Sequence, residues 1–143
     1  MKVEKVTLIL RSMLGFIFVA GPLASALHLA PEPAAPPAAA AFIAALGATG
    51  YMLPLLWSAE IAAGVLLLSG LMVPFALTLL APVIVNIAAF HLFLAPNGYP
   101  PALVVIALEL FLVWRYRKAF EPLFGSDYSL RVSAARQVGV DAA

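Results

Sequence analysis

The sequence predicts an all-α integral membrane protein of four transmembrane helices, and three observations predict it. Of its 143 residues, 64% are hydrophobic and only 10% charged, at a mean hydropathy of +1.06; that is too little charge to coat a soluble domain of this size. The apolar residues form long runs, and an α-helix needs about 20 of them to cross a hydrocarbon layer ~30 Å thick. Short alternating segments of the kind a transmembrane barrel requires are not visible. The eight basic residues fall in two clusters, Lys2, Lys5 and Arg11 at the start and Arg115, Arg117, Lys118, Arg131 and Arg136 at the end.

Charge placement sets the orientation. With four spans both ends lie on one side, and the excess of Lys and Arg there makes that side cytoplasmic, as in a bacterial-type inner membrane. The outer connections, residues 30–50 and 95–101, carry no Lys or Arg. The few basic residues adjoin the membrane, which excludes a nucleic-acid partner and leaves the lipid bilayer as the surface they meet. With no cysteine, disulfides and thiolate metal sites are excluded.

The first span is predicted over residues 6–29. Arg11 lies about 8 Å inside it, where it either snorkels to the headgroups as an anchor or turns inward to pair with a buried acid or a lipid phosphate. Arg11, Gly15, Phe18, Pro22 and Ser25 share one helical stripe, whose small residues suit close helix contact, and Gly21-Pro22 predicts a kink. A basic start, an apolar run and Ala24-Ser25-Ala26 also resemble a cleavable signal peptide; Arg11 falls inside what would be its early apolar region, and the apolar run continues past the cut, which favours a retained span.

Prolines in residues 31–37 stop any helix, and the alanine-rich residues 38–46 predict a short helix at the outer surface. The second span covers residues 51–69, with Pro54 in its first turn. Ser69-Gly70 turns tightly into the third span, residues 71–94, making the two antiparallel neighbours. Pro82, inside the third span, leaves the carbonyl of Thr78 without its helical donor. Residues 95–101 are a turn by composition. The fourth span covers residues 101–118 and ends on Trp114, Tyr116 and a basic run that anchor it at the cytoplasmic interface. Residues 125–143 form a polar and small-residue C-terminal tail.

Polar groups inside these spans carry the chemistry. Glu60 lies about 13 Å below the outer boundary, and Asn86 and Glu109 about 12 Å below it, on the second, third and fourth spans. A charge at that depth costs at least ~2.5–3.5 kcal/mol on insertion scales, so three polar groups in one layer predict a shared interior site. Two carboxyls there would titrate as a pair, with Asn86 donating to either. The site would be a polar cavity open to the outer side that binds a polar or quinone-like headgroup and exchanges protons; the alternative is interhelical hydrogen bonding that only holds the helices together. His91, about one turn below the outer end of the third span, is a candidate proton acceptor or ligand contact, and His28 an interfacial imidazole. On an ideal helix Asn86 and His91 point about 140° apart. Phosphate loops, zinc-helix motifs and nucleophile elbows are missing, no metal set is predicted, and four apolar helices offer too few donors for a dinucleotide.

Several of these residues together resemble the DoxX/DoxD-like membrane proteins: Arg11 followed by Gly15-Phe16-Ile17-Phe18 and Gly21, Glu60 with Gly64 and Ser69-Gly70, Asn86 with His91, and the closing run from Trp114 to Phe120. The resemblance covers residues 6–124. It implies a four-helix bundle in the inner membrane and a link to quinone-coupled oxidation, as in the thiosulfate:quinone oxidoreductase subunits that gave the family its name. It also implies functional roles for Arg11, Glu60, Asn86 and His91; Glu109 enters by depth alone. Where family members often carry a lysine after the first-span glycine, this chain has Gly21-Pro22-Leu23-Ala24 and so lacks that cation for an anion such as thiosulfate.

Three functions are therefore expected in competition. The first is a membrane subunit of a redox system, with Glu60 and His91 as catalytic residues and Arg11, Asn86 and Glu109 binding a quinone-like or small polar ligand; its partners would be an oxidoreductase subunit, soluble or membrane-bound, or a second copy. The second is a small proton-coupled transporter or ligand-binding membrane protein. The third is a scaffold that recruits partners to the bilayer.

Overall fold

The computed structural model describes residues 2–29 and 35–124. Part of the predicted proline-rich connection and the whole predicted tail, 125–143, lie outside the described residues. Those described form six α-helices with no strand among them.

Helix α1, Lys2–Ala26, starts four residues before the predicted boundary. Glu4 sits in its first turn, where a carboxylate complements the helix dipole. The helix stops short of residue 29 because His28 adopts φ 54°. The Leu29 N–H then donates to the Ala24 carbonyl at 2.9 Å and the His28 N–H to that of Ser25 at 3.2 Å, the two bonds of a Schellman closure. Glycine usually takes that left-handed position; histidine is among the few other residues enriched there.

Helix α2, Pro37–Ala48, is the short surface helix, slightly longer than expected and begun by proline at its first position, where no N–H is needed. Its Ala39 is fully buried and Phe42 packs on Phe90, ring centroids 5.9 Å apart. Thr49 joins it to α3, Met52–Ser69: the hydroxyl donates to the Leu46 carbonyl at 2.6 Å and accepts from the Met52 N–H at 3.0 Å. Gly70, at φ 77°, closes α3 with its N–H on the Leu66 carbonyl at 3.0 Å.

Helix α4, Val73–Phe93, runs through Pro82. After a 3-10 turn at Pro96–Gly98 comes α5, Tyr99–Arg115, which begins and ends a few residues earlier than the predicted fourth span. It begins early because Pro100 and Pro101 fit a first helical turn. It ends early because the chain tightens at Tyr116 into a 3-10 turn, Arg117–Ala119. A single-turn helix α6, Glu121–Phe124, follows.

Helix α1 packs on α3, α3 on α4, α4 on α5 and α5 back on α1, while α2 lies on α3. Leu14, Leu67, Leu77, Leu80 and Leu112, one or two from each of these four helices, are fully buried at the centre. Three helices (α1 from Val3, α3 and α4) are long and apolar enough to cross a membrane, which supports a membrane protein. Helix α5, with 17 residues, is the shortest of the four packed helices, about 26 Å at 1.5 Å per residue.

Candidate functional site

Counted from the helix ends, the predicted polar layer is roughly level. Glu60 lies about 12 Å from the start of α3, Asn86 about 10 Å from the end of α4 and Glu109 about 15 Å from the start of α5. Lateral placement separates them. Helices α3 and α5 sit across from one another, each packed between α1 and α4, so their carboxyls approach from opposite corners.

Glu109 is the buried member. It is 4% exposed, on the α5 stripe that also buries Val105, Leu108 and Leu112. Both its carboxyl oxygens are buried without a hydrogen-bond partner among the described residues. Glu60 is half-buried, one turn from the buried pair Ala63 and Gly64 on α3, and its carboxyl likewise makes no hydrogen bond among the described residues.

Asn86 corrects the expectation of a shared site. Its side chain is exposed on α4, on the face that also carries exposed Thr78, Pro82 and Val85. The physical reason is the rotation of α4: Val73, Leu77, Leu80 and Ile84 turn inward, which leaves position 86 outside that stripe. Three side chains at one height therefore do not converge on one interior spot.

His91 is held locally. Its Nδ1–H donates to the Ile87 carbonyl at 2.9 Å, which leaves Nε2 as the nitrogen with a lone pair. The ring stands edge-on to Phe90, centroids 5.3 Å apart at 74°. Gly98 lies against the other side, where a Cβ would come within 2.8 Å of His91 Cδ2. His28 is exposed just past the C-terminal end of α1, and its role in the structure is to close that helix.

Arg11 does find company, at the opposite end of the molecule. Its guanidinium lies over Gly70, so closely that a Cβ on Gly70 would overlap it. Its Nε is buried without a hydrogen-bond partner among the described residues. Beside it a cleft of about 190 Å³ opens between α1 and the end of α5, lined by Glu4, Thr7, Leu8, Arg11, Arg115 and Tyr116. Of these only Arg11 was a sequence candidate. Glu4, Thr7, Leu8 and Arg11 do share one helical stripe at spacings of three and four, a signal readable in the sequence. That Arg115 and Tyr116 complete the cleft follows from the packing of α5 on α1.

No family model matches the chain, and no curated protein or solved structure is similar to it.

Proposed function

We propose that the chain is a DoxX/DoxD-like four-span membrane protein, with α5 as the fourth crossing helix and the basic end cytoplasmic, that acts as the membrane subunit of a quinone-linked redox system. Within it Glu109 and Glu60 exchange protons with a quinone-like or small polar ligand. The observation that carries this reading is the Glu109 carboxyl, buried in an apolar core with neither oxygen bonded. An unpaired polar group there costs roughly 1–3 kcal/mol or more, which a purely structural leucine would avoid. Carboxyl groups suit proton exchange; an apolar core alone does not need one. Reducing a quinone takes two electrons, supplied by a partner oxidoreductase subunit, and two protons, for which the carboxyls are the route.

The clustering of Lys5, Arg11, Arg115, Arg117 and Lys118 at one end of the molecule supports the orientation. The test is quinone-dependent turnover in membranes from cells carrying Glu109→Gln or Glu60→Gln. Loss of turnover in Glu109→Gln, with the protein still folded and inserted, is the expected result. Unchanged turnover in both variants would reduce the protein to a scaffold. A second reading, proton-coupled movement of a small solute, is favoured by the half-buried position of Glu60; it requires solute-driven proton flux in liposomes that Glu60→Gln abolishes.

A further inference from the structure

The cleft at the basic end has the chemistry of an anion site, and nothing in the carboxyl reading uses it. Two arginines, Arg11 and Arg115, line it together with Tyr116 and Thr7. The Thr7 hydroxyl donates to the Val3 carbonyl at 2.9 Å, which leaves its oxygen lone pairs, and not its proton, toward any neighbour. Donation to an anion therefore falls to the two arginines and the tyrosine.

The Arg11 Nε is buried and has no acceptor among the described residues. That Nε is closed to solvent, so an anion in the cleft would meet other atoms of the guanidinium; a phosphate oxygen is the acceptor whose geometry a guanidinium fork matches best. At about 190 Å³ the space is below the ~300–1,000 Å³ typical of drug-sized ligands, and fits a headgroup rather than a whole organic cofactor.

The height is right as well. Trp114, next to the cleft, is 60% exposed and Arg117 stacks over its ring at 5.1 Å. Tryptophan and basic residues mark the level of lipid headgroups on a membrane helix.

We infer that the Arg11–Arg115–Tyr116 cleft binds a phosphate group, borne either on a phospholipid headgroup or on a small soluble molecule. This inference is independent of the role of Glu109, and the two fail separately: loss of phosphate binding leaves the carboxyl reading untouched.

The experiment uses the purified full-length chain in detergent. Native mass spectrometry follows phosphatidylglycerol adducts, with diacylglycerol as the lipid that lacks phosphate. Titration calorimetry follows dimethyl phosphate as the soluble phosphodiester. Either probe binding saturably at one site, about tenfold more weakly in Arg11→Gln and in Arg115→Gln and unchanged in Arg117→Gln, is the expected result, and the probe that binds names the source. If Arg11→Gln fails to fold, Arg115→Gln decides, because Arg115 is exposed at the end of its helix. Three outcomes overturn the inference: neither probe binds, diacylglycerol binds as well as phosphatidylglycerol, or Arg117→Gln weakens binding as much as Arg115→Gln does.

Discussion

Gly15 and Gly64 meet backbone to backbone where α1 crosses α3. A Cβ on Gly15 would stand 2.9 Å from the Gly64 carbonyl oxygen, and one on Gly64 would stand 2.8 Å from the Gly15 carbonyl oxygen. Neither backbone can yield without parting the helices. This is the close approach that small residues allow between membrane helices, where packing replaces the hydrophobic effect as the attraction.

Gly15→Ala and Gly64→Ala are therefore expected to destabilise the protein, each by about 1–3 kcal/mol, the usual range for overpacking. Gly47→Ala is the control, since its Cβ would meet only Leu53 Cδ1 at an ordinary 3.6 Å. It should leave stability unchanged or raise it by about 0.5–1 kcal/mol through helix propensity. Unfolding in mixed micelles by a denaturing detergent measures all three. Equal effects at the three positions would refute the close crossing.

The Gly70 turn makes a second prediction, in which two costs can be separated. Gly70→Ala places a Cβ both in left-handed backbone, at about 1–2 kcal/mol, and against the Arg11 guanidinium. In an Arg11→Gln background the steric part should fall away while the backbone part stays. A double-mutant cycle of unfolding free energies should thus give a non-zero coupling between positions 11 and 70; strict additivity would mean the guanidinium does not sit over the turn.

Asn86 and Glu109 make opposite predictions from the same depth. Asn86→Leu replaces an exposed amide and should change neither folding, beyond about 0.5 kcal/mol, nor quinone-dependent turnover. Glu109→Leu replaces a buried, unbonded carboxyl with an apolar side chain and should stabilise the fold by about 1–3 kcal/mol while abolishing turnover. Measuring unfolding and turnover on the same preparations checks both. Lost turnover in Asn86→Leu would restore the amide to the site from which its exposure removes it.

The contrast between these two residues shows what could be read from the chain and what could not. Approximate helix positions follow from local chemistry: apolar run length, the prolines at Pro37, Pro74 and Pro100, and the turn at Gly70 are properties of a few neighbouring residues, although the early stop at His28 is not read from them. Position along each helix follows from counting at a fixed rise per residue, which puts Glu60, Asn86 and Glu109 within about 5 Å of one another measured from the helix ends. Rotation about the helix axis is another matter. A soluble helix advertises its inner face by a polar outer one, but a helix that is apolar all round carries no such stripe. Nothing local could tell that Asn86 faces outward and Glu109 inward.

The sequence by itself determined that this is a helical protein with membrane-length apolar helices, roughly where those helices run, where its basic residues cluster and how far along each helix its polar groups lie. Tertiary packing alone decided which of those groups are buried, that Gly15 and Gly64 carry the α1–α3 contact, and that Arg11 and Arg115, more than a hundred positions apart, share one cleft. The reason is that height is a sum of local steps, whereas facing and cross-helix proximity depend on how four separately formed helices pack around a common centre.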